Sequence, residues 1–367
     1  METGLIFTDY SPLCDIMAAV ERYRNSCYFH LVFKPTAYQP TYESCWLYNR
    51  PAEEVMPYGT VPDPYDVPMP VQYVRHAPGG IELDEKKFEV VWFMEGDAAA
   101  LLYDKMLLAV IMPSSKTGKY HKFSRYAIGK APYAWEIENI REAMTKRANT
   151  CRRIWKKYGV YGDIRGWMLR QAVPAYKFVG EHLQDYNIAN EKDRRIDNGG
   201  TYPPKVIVTG KRNGTIYGVT AGLSLPAMPR TAKYFPKDTK NERHTEIGFA
   251  VEERLSAVCN TAYSEMNRIA VIPWTDYAPI AHGHTIELNG FEGFPEAVLL
   301  NPKYYSGFEA PEYENFPGDC HVNMLWIIPI TEKEYDFVRL RGSDKLLERA
   351  VDLGRVHIFT GEPKFNV

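Results

Sequence analysis

From His321 to Ala350 the chain reads HVNMLWIIPITEKEYDFVRLRGSDKLLERA, a stretch that leaves a fold little choice. Its apolar run, closed by Pro329, is too short to span a membrane and reads as a buried strand. Thr331 and Glu334 then stand at the T-x-x-E spacing of a capping box, where each side chain satisfies a backbone N–H at a helix start. Gly342 provides the helix stop, and a second helix follows. The segment holds no nucleophile and no metal-ligand spacing, so it reads as scaffold. The 26 tyrosines and 26 prolines of the chain also favour strands and rigid loops over long helical bundles.

With 367 residues, 45% apolar and 25% charged, the chain is long enough to bury two cores and is not of disordered composition. Its 44 Lys and Arg against 46 Asp and Glu give a formal charge of -2, so no overall field draws in nucleic acid or an anionic membrane. Cys14, Cys27, Cys45, Cys151, Cys259 and Cys320 form no C-x-x-C pair, which argues against a zinc ribbon or a thioredoxin-type site. The start METGLIFTDYSPL is acidic where a signal peptide is basic, and no apolar region follows it. The most apolar stretch, AAALLYDKMLLAVIMP, is broken by Asp104 and Lys105 and is too short on either side to cross a bilayer. The expectation is a soluble, cytoplasmic protein without structural disulfides.

Three blocks follow one another. Up to residue 134, CYFHLVF, SCWLYN and KFEVVWFMEG read as strands, and AAALLY-DK-MLLAVIM as a hairpin about a two-residue turn. The prolines between Pro51 and Pro70 mark a stiff, irregular loop. From 135 to 200 the pattern turns helical. Ile137, Ile140, Met144, Cys151, Ile154 and Tyr158 make one apolar helix face, ended by Gly159. Arg141, Lys146, Arg147, Arg152, Arg153, Lys156 and Lys157 lie opposite, read either as a solvated face or as a surface for nucleic acid. Pro174 is expected to kink or break the next helix, and the polar run IANEKDRRIDNGGTYPP closes the block. From residue 201, Asn213-Gly214 signals another hairpin, and ERHTEIGFAVEERLSAVCNTAYSEMNRIA reads as a helix.

Candidate chemistry is sparse. Lys116-Thr117-Gly118 matches a triplet of the β-lactamases, but their Ser-x-x-Lys nucleophile is missing. There is no G-x-S-x-G, H-E-x-x-H or G-x-G-x-x-G. His282 and His284 have H-x-H spacing and would share one face of a strand, with His244, Glu246 or Asp276 as a distant third metal ligand. Strand histidines engaged in ordinary hydrogen bonds explain the same letters. Cys320 and His321 are adjacent, and neighbours on a strand point to opposite faces. The proline-flanked stretches PWTDYAP and PKYYSGFEAPEYENFPGD carry Trp274, Tyr277, Tyr304, Tyr305, Phe308 and Tyr313, either packed on the core or exposed as a protein-binding rim.

Taken in order, VTAGLS with LPAMP, RHTEIGFA, HGHTIELNG, AVLLNP and LWIIPITEKEYDFVRLRGSDKLLE resemble the suppressor of fused domain family. SCWLYNR, VVWFMEGDAAALLYDKMLLAVIMP and FSRYAIGKAPYAWEI resemble the region before that domain in two-part bacterial members. The resemblance implies an α+β fold of mixed β-sheets flanked by helices. It implies an N-terminal α+β domain over 1–134, a helical connector and polar linker over 135–200, and a suppressor of fused-like domain over 201–367. It carries no catalytic residues and no cofactor. The animal relative holds a transcription factor through an extended peptide, and bacterial relatives act as immunity proteins against toxins. The expected function is therefore non-enzymatic protein binding, with a toxin domain or extended peptide as partner. Trp274, Asp276, Tyr277, His282, His284, Tyr304 and Tyr305 are the candidate contact residues. The competing readings are a metal-dependent hydrolase using His282 and His284, and a regulator binding nucleic acid through the basic helix of residues 141–157.

Overall fold

The computed structural model of the chain describes residues 4–51, 67–114, 117, 119–158, 164–186, 205–305 and 309–367. Most of the proline-rich loop, Lys116 and Gly118, Gly159, the polar run 187–204 and Phe308 lie outside the described residues. Contacts divide the chain into a first unit made mostly of residues 1–162 and a second made of most of residues 163–367.

In the first unit, β1 (Gly4–Tyr10), β2 (Ile16–Arg22), β3 (Ser26–Phe33) and β4 (Thr41–Asn49) form an antiparallel meander in chain order. A second sheet has β5 (Phe88–Trp92), β6 (Ala99–Tyr103), β7 (Met106–Pro113), β8 (Tyr120–Ser124) and β9 (Trp135–Glu136), the last pair parallel. The expected hairpin joins β6 to β7, with Asp104 and Lys105 at φ 49° and 64°. Two successive positive φ values match the turn to the right-handed strand twist. Helix α1 (Arg141–Tyr158) packs on β5 and β7, burying Ala148 and Cys151.

The second unit begins with α2 (Ile164–Val179), then β10 (Glu181–Tyr186), β11 (Val206–Arg212) and β12 (Thr215–Ala221). Helix α2 continues through Pro174 instead of breaking there. Ala172, Ala175, Phe178 and Val179 are buried in the sheet's core cluster, and this packing outweighs the one lost backbone bond. The Asn213-Gly214 hairpin forms as expected, with φ 51° and 71°. Two single-turn helices, α3 (Thr231–Tyr234) and α4 (Thr239–Glu242), lead to β13 (His244–Glu252). Here the expected helix is corrected: HTEIGFAVE is a strand between β12 and the parallel β16 (Val322–Ile330), with eight of its nine residues buried. Strand pairing on both edges overrides the local helix-like signal. The second part of the expected helix does form, as α5 (Cys259–Thr275). It takes in Trp274, so the PWTDYAP stretch is helix C-terminus as much as loop.

Strands β14 (Thr285–Glu287) and β15 (Glu296–Leu300) complete the order β10-β11-β12-β13-β16-β15-β14, and β17 (Ile358–Phe359) pairs parallel with β13. Antiparallel and parallel pairs coexist, so the fold is α+β with mixed sheets. Strand alternation shows both faces covered. Tyr217 meets Phe178 of α2 at 5.2 Å between ring centres, while the adjacent Gly218 faces Tyr263 of α5. This explains why β12 and β16 are buried at every residue rather than at alternate ones. Helix α6 (Glu332–Arg341) carries the full capping box between Thr331 and Glu334, Gly342 stops it at φ 87°, and α7 (Ser343–Leu347) follows. No disulfide joins any of the six cysteines.

Candidate functional site

The sequence candidates separate by burial. Trp274 is 1% exposed and Tyr277 9%, with the Arg230 guanidinium 5.6 Å from the Tyr277 ring centre. Both support the end of α5 from within. Asp276 is exposed at the C-cap of that helix. His282 and His284 lie on the turn before β14 and not on a strand, with Gly283 between them at φ 82°. The same-face geometry expected for H-x-H therefore does not apply. Burial lowers the affinity of both imidazoles for a proton.

His282, Tyr304 and Tyr305 do come together. The backbone N–H of Asn301 donates to His282 Nδ1 at 3.1 Å, which leaves the ring proton on Nε2. Tyr305 Oη lies 3.3 Å from that Nε2 and donates to Asp344 Oδ1 at 3.0 Å, bringing in the first turn of α7. Burial and the Asp344 carboxylate raise the Tyr305 phenol well above its ordinary range, so it is a hydrogen-bond donor and not a nucleophile. The Tyr304 hydroxyl is tied to Glu242 Oε1 at 3.0 Å, while half of the residue stays exposed.

Behind these rings lies a buried polar network that sequence reading missed. Lys303 Nζ donates to Glu242 Oε1 at 2.8 Å and to Asn323 Oδ1 at 2.9 Å, and Asn301 Nδ2 donates to Asn323 Oδ1 at 2.7 Å. Burial opposes the charge on Lys303, but Glu242 outweighs it and the ammonium is held more strongly than usual. The network ties α4, the turn after β15, and β16 together, so the tyrosines are presented on a rigid base. An open groove of about 540 Å³ runs beside them, lined by His282, Tyr304, Tyr305, Asp344, Leu347 and Glu348 among others.

Two of the three third ligands considered for a metal, Glu246 and His244, are engaged elsewhere. Glu246 is wholly buried; its Oε1 accepts from Gly222 N, Ser224 N and Ser224 Oγ, and its Oε2 from Thr220 Oγ1. Burial pushes its carboxyl above the usual range. His244 Nδ1 donates to Ser224 O at 2.8 Å, and its ring stacks on Phe316. Among the described residues no group of three or more His, Cys, Asp or Glu side chains is placed to hold a metal ion. Cys320 precedes β16 and pairs with Phe316, so the Cys320–His321 pair is a bridge and its flank rather than two strand neighbours.

The basic face of α1 is also divided. Arg147 pairs with Glu95 at 3.0 Å and lies over Phe93, and Arg152 pairs with Glu89 at 2.8 Å. These two cations are taken by the protein itself. Among the described residues no helix is long and apolar enough to cross a membrane.

A comparison with curated proteins finds no match to the chain. Residues 200–361, which take in every strand from β11 to β17, match the family of the Suppressor of fused protein (SUFU), so this part of the chain is similar to that family.

Proposed function

We propose that the chain is a non-enzymatic protein-binding protein of the immunity type, which neutralises a toxin by holding it against the groove beside Tyr304 and Tyr305. Suppressor of fused domains are protein-interaction domains, which supports a protein partner. The observation that carries the reading is the pairing of exposed aromatic surface with a fixed polar base. Tyr304 is 50% exposed while its hydroxyl is anchored, and His282 and Tyr305 are held by Asn301 and Asp344. Aromatic side chains pre-ordered in this way bind without a large entropic cost, as interface anchors do. Strand β10 offers a second contact, since five of its six residues are exposed and only β11 pairs with it among the described residues.

The test is retention of a partner from cells of the source organism, with the product of the neighbouring gene included as bait. One specific protein should be held with nanomolar-class affinity, as inhibitor complexes of ordinary interface size are. Tyr304→Ala should weaken it at least tenfold, about 1.4 kcal/mol, with the fold intact. Retention of nothing, or equal binding by Tyr304→Ala and Tyr305→Ala, would sink the proposal.

A further inference from the structure

Three cations of α1 gather with two from the neighbouring sheet in one place. An open groove of about 770 Å³ runs between α1 and the β6–β7 turn. Lys105, Arg125, Arg141, Lys146 and Arg153 line it against a single carboxylate, Glu142. Of the five, Arg141 has an acidic neighbour, Glu138, in an exposed pair at 3.2 Å. Among the described residues, the Arg125 guanidinium reaches only the Met106 sulfur at 3.5 Å, and that of Arg153 only Thr150 Oγ1 at 3.4 Å. Clustering like charges in a concavity raises the local potential, although the chain as a whole is close to neutral at -2. The contrast with Arg147 and Arg152 is informative, because those two are paired with carboxylates of the sheet side, Glu95 and Glu89, while Lys146 and Arg153 of the same helix face the groove.

We propose that this groove is a second binding surface, independent of the tyrosine site, and that it takes an extended acidic segment of a protein partner. Its geometry selects that occupant. From Arg141 to Arg153 the helix rises about 18 Å at ~1.5 Å per residue, the length of five or six extended residues at ~3.3 Å each. Met106, 49% exposed at the hairpin tip, adds one apolar contact beside the charges. A short groove with one apolar wall suits carboxylates spaced along a peptide. A nucleic-acid duplex would need a longer basic track, and Arg147 and Arg152 are spent on Glu95 and Glu89.

The experiment uses the full chain and a fluorescein-labelled hexapeptide of five acidic residues around one leucine, read by anisotropy. Two probes run beside it: the same peptide with every acid replaced by its amide, and a single-stranded DNA 12-mer. The acidic peptide should bind, the amide peptide at least tenfold more weakly, and raising salt from 50 to 300 mM should weaken binding several-fold. Lys146→Glu with Arg153→Glu should lower affinity at least tenfold. Lys119→Glu with Lys156→Glu, the same change in net charge outside the groove, should change it less than twofold. The comparison of the two peptides on the unaltered chain decides the matter even if a variant folds poorly. Equal binding of the amide peptide, equal loss in both double variants, or tighter binding of the DNA would overturn the proposal.

Discussion

His357 shows how a single buried residue makes the fold sensitive to pH. It lies against Trp326 at 5.0 Å between ring centres and is 3% exposed. Burial first, then the nearby charges of Lys364, Arg212 and Arg355, push its imidazole down from 6.5 to about 4. The folded protein therefore keeps this ring neutral, while the unfolded chain takes up a proton below pH 6.5. Its contribution is complete above that pH and is lost as pH falls towards 4, by up to roughly 3 kcal/mol. Urea midpoints at pH 7, 6 and 5 should fall for the parent, with a visibly smaller fall for His357→Gln. Parallel profiles would assign the acid sensitivity to other groups. The same scale governs the candidate site, where the hydrogen bond from Asn301 and not the H-x-H spacing sets the state of His282.

At the scale of elements, α6 is held by more than its cap. The Glu334 carboxylate, 1% exposed, accepts from Thr331 N at 2.7 Å and Thr331 Oγ1 at 2.9 Å. It also accepts from Lys364 N and Phe365 N, each at 2.9 Å, and so fastens the C-terminal segment to the helix start. Thr331→Ala should cost about 1 kcal/mol, the ordinary loss of an N-cap. Glu334→Ala strands several donors at once and should cost about 2–4 kcal/mol. Urea unfolding of the two variants checks this, and equal losses would mean that the C-terminal contacts contribute nothing. The capping box was legible because it is local. The link to residues 364 and 365 was not, since thirty positions separate them from Glu334.

Across the whole molecule, stability should follow the covering of the sheet in the second unit. Strands β12, β13 and β16 are central, buried almost throughout and paired on both edges, whereas β10 is an exposed edge. Hydrogen exchange followed by mass spectrometry should find the slowest amides in those three strands and the fastest among all seven strands of the main order in β10 and the short β14. Protection of β10 as strong as that of β13 would show that something else covers this edge. Charge is likewise arranged at this scale. A chain of -2 overall places five cations round one groove in the first unit and two carboxylates, Asp344 and Glu348, beside the tyrosines of another in the second.

The sequence by itself determined the features whose causes lie within a few residues of one another. The two hairpin turns at Asp104-Lys105 and Asn213-Gly214, the capping box, the stop at Gly342 and the buried run before Pro329 all stand where their local chemistry puts them. The order of these elements was also enough to carry the family resemblance. Only the tertiary structure decided whether HTEIGFAVE is helix or strand, because its partners, β12 and β16, lie far from it in sequence. It alone buried Trp274 and Tyr277, left Tyr304 in the open and brought Asp344 and Glu242 to the same tyrosines. Exposure and long-range hydrogen bonding depend on what the rest of the chain packs against a residue, and neither residue type nor spacing encodes that.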